Sequence, residues 1–223
     1  MHKTAIIIPS YNASATLGKL ISQLSDYVSS KDIIVIDDGS IDDTYKIATA
    51  CGVVVLKHEE NKGKGMALKT GFDYCLKNNY FGIITIDADL QHDPKLVKDF
   101  LKMAENLKYG IVIGTRKMNL KIMPLDRYLT NKVTSIILSI LSGKTIHDSQ
   151  SGYRWISKDV LKRIKLSSKR YDLESEILVK AGRANFKIGE VEIPTIYEKS
   201  KSFINPLIDT GRFIKIVIKS VFW

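Results

Sequence analysis

Two aspartates one residue apart, Asp87 and Asp89, follow the apolar run Phe81 to Ile86, and Gln91 lies a further step along. The β-branched run reads as a buried strand. In open α/β sheets, ligands bind outside the carboxyl ends of the strands. Residues two apart on extended backbone point to the same side. Two hard oxygen ligands, with an amide nearby, suit a Mg²⁺ or Mn²⁺ that is also held by substrate phosphates. The plain alternative is a polar turn leading into a helix. Asp93-Pro94 already supplies that start, as N-cap and first helical residue, which leaves Asp87 and Asp89 without a capping role.

Two further stretches converge on the same chemistry. Asp37-Asp38-Gly39-Ser40 ends a second β-branched run, Ile33 to Ile36. Between the two acidic stretches lies a basic, glycine-rich loop, Asn61-Lys62-Gly63-Lys64-Gly65. A carboxylate accepts hydrogen bonds from a base or ribose. Glycines let backbone N–H groups approach a ligand closely, and Lys62 and Lys64 add charge. Singly, each is a turn or a solvated loop; together they point to a nucleoside diphosphate. No Gly-x-Gly-x-x-Gly or Walker loop follows the first strand, which disfavours a dinucleotide dehydrogenase or a P-loop NTPase. Nor is there a Gly-x-Ser-x-Gly elbow or a zinc spacing among the histidines. His58, His92 and His147 read as surface or hydrogen-bonded residues rather than catalysts.

The elements that must position these residues alternate regularly. Thr4 to Ile8 reads as a strand and Leu17 to Val28 as an amphipathic helix. The Ile33 strand precedes a short helix that Ser40 and Asp43 are placed to cap. Val53 to Leu56 is a third strand, after Gly52. Helices follow the glycine-rich loop and Lys95, with Ile111 to Gly114 a strand. This alternation predicts an α/β fold with a largely parallel sheet and helices on both faces. Residues 116 to 127 read as a loop and Val133 to Leu141 as a helix apolar over most of its surface. Asp148 to Ile156 reads as a strand with a polar start, Asp172 as the cap of a helix ending before Gly182, and Phe186 to Ile193 as the last strand. Pro206 to Trp223 is a basic amphipathic tail.

At 223 residues the chain can bury a full core. The formal charge of +10 calls for an anionic partner. Nucleic acid is not expected as that partner, because no recognition motif or aromatic-basic ribbon appears. Cys51 and Cys75 form no metal pattern and read as packed thiols. No signal peptide is visible, and no uncharged apolar run reaches the roughly 18 residues of a spanning helix.

Six segments in order carry a resemblance: Ile8-Pro9-Ser10-Tyr11-Asn12, Val35-Ile36-Asp37-Asp38-Gly39-Ser40, Asn61 to Gly65, Asp87-Ala88-Asp89-Leu90-Gln91-His92, Gly114-Thr115-Arg116 and Asp148-Ser149-Gln150-Ser151-Gly152-Tyr153-Arg154. The chain resembles a family-two glycosyltransferase of the GT-A fold, in the branch of dolichol-phosphate mannose synthase and polyprenyl-phosphate sugar transferases. The resemblance covers essentially the whole chain and implies one domain over residues 1–223, with 1–115 the nucleotide-sugar half and 116–223 the acceptor and membrane-facing half. It implies that Pro9, Tyr11, Asp37 or Asp38, and Ala88 contact the nucleoside, and that Asp87, Asp89 and Gln91 hold Mg²⁺ or Mn²⁺. Asp89 and Arg116 become the catalytic pair, with Arg116 on the acceptor phosphate. Lys199-Ser200-Lys201 is similar to a basic loop that closes over the donor. Where the family has Glu after Pro-x-Tyr-Asn, this chain has Ala13, which puts base and donor preference in question.

The implied reaction is inverting transfer of a sugar from a nucleotide donor, GDP-mannose or a UDP-sugar, to a polyprenyl or dolichyl phosphate. A lipid phosphate is already anionic and needs positioning rather than deprotonation. Arg127 and Asn131, four apart, share a helical face and with Arg116 could cradle that phosphate. The alternative is a carbohydrate acceptor, as in other members that build cell-surface polysaccharides. That reaction needs a general base, with Asp148, Glu174 or Asp172 as candidates. A sugar nucleotidyltransferase would instead want a glycine-rich loop where Pro9-Ser10-Tyr11-Asn12 stands. The apolar helix and the basic tail suit a membrane surface, or else core packing or a homo-oligomer contact. The expected location is cytoplasmic, peripheral on the cytoplasmic face of the membrane, with a membrane-anchoring partner as a further possibility.

Overall fold

The structure, a computed structural model, describes residues 3–105, 108–117, 123–196 and 206–220. The chain opens with β1 (Thr4–Ser10), α1 (Leu17–Ser25), β2 (Ile33–Asp37), α2 (Thr44–Ala50) and β3 (Val54–Lys57). It continues through α3 (Lys64–Lys77), β4 (Gly82–Thr85), α4 (Val97–Glu105), β5 (Tyr109–Arg116) and α5 (Leu125–Ser142). The last part holds β6 (Arg154–Ser157), α6 (Lys158–Arg163), α7 (Asp172–Arg183), β7 (Lys187–Ile193) and α8 (Pro206–Ser220).

Among the described residues, seven strands form one sheet in the order β3-β2-β1-β4-β6-β5-β7. β6 runs antiparallel to both neighbours, and the other pairings are parallel. The central strands β1, β2 and β4 are apolar and buried through their middles because both faces are covered. Ala5, Ile7, Ile34, Ile36 and Ile83 pack with Ala67, Leu68 and Phe72 of α3 and with Ile177 and Leu178 of α7. Ile6, Ile8, Ile33, Val35 and Ile84 alternate to the opposite face, under Leu20, Ile21 and Leu24 of α1 and Val97 and Phe100 of α4. The chain moves outward from β1 to β2 and β3, then returns to the other side of β1 as β4. That reversal opens a crevice beyond the carboxyl ends of β1, β2 and β4.

Several boundaries differ from the sequence reading. Only Arg154–Ser157 of the expected Asp148 to Ile156 strand joins the sheet, because the polar residues before it bond to side chains rather than to a neighbouring strand. α5 starts at Leu125, eight residues earlier than expected. Ser40 and Asp43 form no capping box: Asp42 accepts from Thr44 N (3.0 Å), while Ser40 Oγ accepts from Asn12 N (2.9 Å). Asp172 is the first residue of α7 rather than its cap, and the helix runs through Gly182 to Arg183. Asp93 and Pro94 do start a tight turn ahead of α4, Asp93 accepting from Lys95 N at 3.0 Å.

α7 carries a buried carboxylate that fixes the loop before it. Glu176 accepts from Ser167 N (2.9 and 3.0 Å), Ser168 N (2.7 Å), Ser167 Oγ (2.8 Å) and Lys180 Nζ (2.6 Å). That loop receives the start of α3: Met66 N donates to Lys169 O (3.0 Å), and a Cβ on Gly65 would stand 2.5 Å from Arg170 O. Burial opposes ionisation of Glu176, but Lys180 and the N–H donors outweigh it and hold the carboxyl at about 2, from 4.5. A folded-state value below the unfolded one stabilises the protein above pH 4.5, and the effect is lost as pH falls toward 2. Its size is on the order of 3 kcal/mol. Glu176→Gln is therefore expected to lower unfolding free energy by about 2–3 kcal/mol at pH 7, with the gap to the native protein narrowing toward pH 3. Urea titrations at both pH values check this, and an equal loss at each would rule out the ionic origin.

Candidate active site

The crevice is built from the loops that leave β1, β2 and β4. Asn12, in the left-handed region at φ 50°, binds the β2 loop from both ends, its N–H to Ser40 Oγ and its Oδ1 to Ile41 N (3.0 Å). Pro9 is half-buried and Tyr11 exposed at this edge. Asp37 and Asp38 then part company. Asp37 is fully buried; its Oδ1 accepts from Ser40 N (3.0 Å), and its Oδ2 has no hydrogen-bond partner among the described residues. Asp38 spends both oxygens on the protein, accepting from Lys62 N (3.0 Å), Gly63 N (2.7 Å) and His58 Nδ1 (2.6 Å). Asp38 is thus the anchor of the glycine-rich loop, and the spare acceptor of the two belongs to Asp37. Gly39 makes this crossing possible, because at φ +73° it passes 2.4 Å, measured from a built Cβ, from the backbone of Glu60.

Asp87 and Asp89 emerge beyond β4 as expected, with Ala88 buried between them. Lys64, the first residue of α3, places its ammonium 2.7 Å from Asp87 Oδ1 and 3.3 Å from Glu174 Oε1. Burial alone would lower the Lys64 value, but the charges of Asp87 and Glu174 outweigh it and hold it well above the usual lysine range. Asp87 is desolvated too, yet Lys64 keeps its carboxyl below the ordinary value. Asp89 goes the other way, pushed up by burial and then by the charge of Asp87. Its Oδ1 accepts from Gln91 N (3.0 Å), with Leu90 at φ 60° turning the chain between them. His92 departs from expectation: it is buried against the Tyr153 ring, its Nδ1 lacks a hydrogen-bond partner among the described residues, and burial lowers it to about 4. His58 is hydrogen-bonded to Asp38 and Thr70, and His147 to Glu190.

At the end of β5, Arg116 meets Asp148 in a two-pronged pair, Nε to Oδ2 at 2.7 Å and Nη2 to Oδ1 at 2.9 Å. Asp148 is fully buried, and despite that desolvation its bonds to Arg116 and Asn131 hold the carboxyl below the usual range. Asn131 is spent inside the protein: Nδ2 donates to Asp148 Oδ1 (2.8 Å) and Oδ1 accepts from Ser135 Oγ (3.1 Å). Asn131 orients Asp148, and Arg127, one turn earlier on α5, is exposed. Lys199 and Lys201 lie outside the described residues.

Two residues that hold the site, Arg154 and Gly152, were given no role from the sequence, and Glu174 was read only as a candidate base. Arg154, buried at the start of β6, donates to Ser149 O (2.7 Å), Ser151 O (2.8 Å) and Glu174 O (2.8 Å). A Cβ on Gly152 would lie 2.4 Å from Asp87 Oδ2 and 3.1 Å from Lys64 Nζ, so glycine alone lets the loop cover the acidic centre. Glu174 joins through Lys64. The signal available was an arginine at the head of an otherwise apolar strand.

This geometry defines an α/β protein with acids and cations gathered at the switch point of its sheet. A family model described as Glycosyl transferase family 2 matches residues 5–165, and the chain belongs to that family. It is 35% identical over 214 residues to the UDP-N-acetylglucosamine--dolichyl-phosphate N-acetylglucosaminyltransferase of Methanococcus voltae, covering 86% of this chain and 85% of the relative. It is 30% identical over 203 residues to the polyprenol monophosphomannose synthase of Mycolicibacterium smegmatis, covering 86% and 76%. The crystal structure of glucosyl-3-phosphoglycerate synthase from Mycobacterium tuberculosis superposes with a TM-score of 0.76 at 21% identity, covering 99% of this chain and 79% of that one. The fold is that of the GT-A glycosyltransferases, and the chain is a glycosyltransferase.

Gly152→Ala must push Asp87 aside or lift the loop that carries it. Sugar transfer is expected to fall by about 100-fold, since a misplacement near 1 Å has that scale of effect, while circular dichroism stays native. Full activity in the variant would mean that the Asp87 position is not critical.

Proposed function

We propose that this transferase moves a sugar with inversion from a nucleotide diphosphate donor to a polyprenyl or dolichyl phosphate, with a divalent metal as cofactor. The observation that carries the reading is the state of the carboxylates on the acceptor side. Asp148 is clamped by Arg116 and Glu174 faces Lys64, while Asp172 accepts from Arg170 N at 3.1 Å. A carboxylate held ionised by a guanidinium is a poor acceptor of a hydroxyl proton. An acceptor phosphate needs no such base. The names of the two relatives above, at 35% and 30% identity, support the same acceptor class.

In this reading residues 1–115 serve the donor and 116–223 the acceptor and the membrane. Pro9, Tyr11 and Ala88 frame the nucleoside, and the spare oxygen of Asp37 accepts from base or ribose. Asp87, Asp89 and Gln91 would hold Mg²⁺ or Mn²⁺, which their hard oxygens suit. Among the described residues no group of three or more His, Cys, Asp or Glu side chains could hold a metal, so phosphate oxygens and water would complete the shell. When bound, the ion would stabilise charge on the departing diphosphate. Lys64 adds a cation beside it. Arg116, its plane fixed by Asp148, orients the acceptor phosphate toward the sugar's anomeric carbon, on the face opposite the leaving group. Arg127, Lys199 and Lys201 add positive charge for the two phosphorylated ligands.

A panel of UDP- and GDP-sugars with Mg²⁺ or Mn²⁺ and a polyprenyl phosphate, read as label entering the lipid phase, tests the reaction. EDTA and Asp89→Ala are each expected to abolish transfer. Arg116→Lys keeps the charge but loses the fork, and is expected to raise the acceptor KM about tenfold while donor affinity stays near native. Label entering only water-soluble oligosaccharide would favour a carbohydrate acceptor instead.

The reading also places the protein on the cytoplasmic face of a membrane. No helix among the described residues is long and apolar enough to cross one. α5 nevertheless exposes Leu125, Leu129, Val133, Ile136 and Ile140 along one stripe, each more than half exposed. α8 turns Phe213 and Ile216 inward and Ile214 and Ile218 outward. Arg183 bonds to Leu141 O at the end of α5 and to Ser220 O at the end of α8, joining the two surfaces. Near an anionic leaflet each exposed cation such as Lys215 or Lys219 contributes about 1 kcal/mol. Salt-sensitive binding to anionic liposomes is expected, weakened at least about tenfold by Ile136→Glu with Ile140→Glu. Binding unchanged by that pair would move the contact elsewhere, and a concentration-dependent change in mass would make the stripe a homo-oligomer or partner surface.

A further inference from the structure

Lys64 sits between a carboxylate assigned above to the metal and one that is not. Its ammonium is 2.7 Å from Asp87 Oδ1 and 3.3 Å from Glu174 Oε1, and its side chain is only 16% exposed. The backbone at Gly152 closes over Asp87 Oδ2 so tightly that a Cβ would stand 2.4 Å away. Asp87 therefore has little room to turn, and a second cation must contend with the ammonium for the oxygen that remains. Glu174 is held in place through its own backbone, whose carbonyl accepts from the buried guanidinium of Arg154 (2.8 Å). The lysine arm springs from the first turn of α3, directly after the glycine-rich loop, where a diphosphate would offer it a third anionic partner.

This inference rests on the nucleotide-sugar reading and deepens it. We propose that Lys64 is a positioning residue that makes metal binding depend on the nucleotide diphosphate. Its ammonium competes with the divalent ion for Asp87 until the diphosphate draws it away, and Glu174 is the partner that shares it meanwhile. Metal and diphosphate then bind with positive coupling, each clearing the way for the other. A fixed positive charge at the same place would weaken metal binding equally in both states and add no coupling.

The test is Mn²⁺ affinity, read by electron paramagnetic resonance on the full chain, without nucleotide and with saturating UDP or GDP. Lys64→Gln is expected to bind Mn²⁺ alone about tenfold more tightly than the native protein, and to lose a similar factor of the enhancement that nucleotide gives. Lys64→Met, of similar length and uncharged, provides the same readout should the glutamine variant melt early. Glu174→Gln confines the ammonium to Asp87 and is expected to weaken Mn²⁺ binding alone. In the Lys64→Gln background the same change should have almost no effect, a non-additivity that a double-mutant cycle measures. If Lys64→Gln raises affinity by one factor with and without nucleotide, or if the two substitutions add, the lysine is only a fixed charge and the proposal fails. If the native protein binds Mn²⁺ and neither nucleotide enhances it, the nucleotide-sugar reading falls first and this proposal with it.

Discussion

A buried guanidinium whose direct partners among the described residues are backbone carbonyls sets the geometry of this site. Arg154 is fully enclosed, and it donates to Ser149 O, Ser151 O and Glu174 O. Desolvation lowers its value, and the charges of Glu174, Asp148 and Asp87 offset that at longer range. A buried ion is tolerable only when its donors are met and its charge is balanced nearby. Meeting the donors bends residues 149–152 into a loop and pins the start of α7. Balancing the charge requires acids on several sides. The cover over Asp87, the position of Glu174 and the height of Asp148 all follow from that demand.

Five aspartates lie around the crevice, and the fold gives each a separate environment. Asp37 keeps an unpaired oxygen, Asp38 is consumed by the loop it holds, and Asp87 is matched with an ammonium. Asp89 is pushed up by burial and then by the charge of Asp87, and Asp148 is fixed against Arg116. Asp38 and Asp148 are thus bound into the protein's own hydrogen bonds. The histidines divide in the same way: His58 is built into the loop anchor, whereas His92 is enclosed beside Tyr153.

The sheet was legible because β-branched runs such as Ile33 to Ile36 and Ile83 to Ile86 are long enough to be buried on both faces. The acidic strand ends were legible because nothing else in the local pattern used them. Which of two consecutive aspartates anchors the glycine-rich loop was not, since adjacent residues point opposite ways and only the packed loop at Lys62-Gly63 shows which one it consumed. The inward turn of Asn131 was hidden for a similar reason. Its spacing from Arg127 is helical, but spacing does not say which of the two turns inward. β6 was overestimated in length because Ser149 and Ser151 look like strand edge until the Arg154 guanidinium is seen gathering their carbonyls, while Gly152 O accepts from Thr85 Oγ1. The start of α5 was hidden by an N-cap position held by Pro124, which offers no side-chain oxygen.

α5 is an amphipathic helix worn inside out. Ser135, Ser139 and Ser142 face inward, where Ser135 Oγ accepts from Ser149 N (2.9 Å) and Ser139 Oγ from Ile146 N (3.0 Å), while Ile136 and Ile140 face outward. The inward hydroxyls therefore hold the loop around Asp148, while the outward aliphatics face solvent. Surface stickiness and site geometry are written on opposite sides of one rod. A lineage could change the exposed stripe through a handful of outward substitutions without touching the residues that hold the Arg116–Asp148 pair on its inner side.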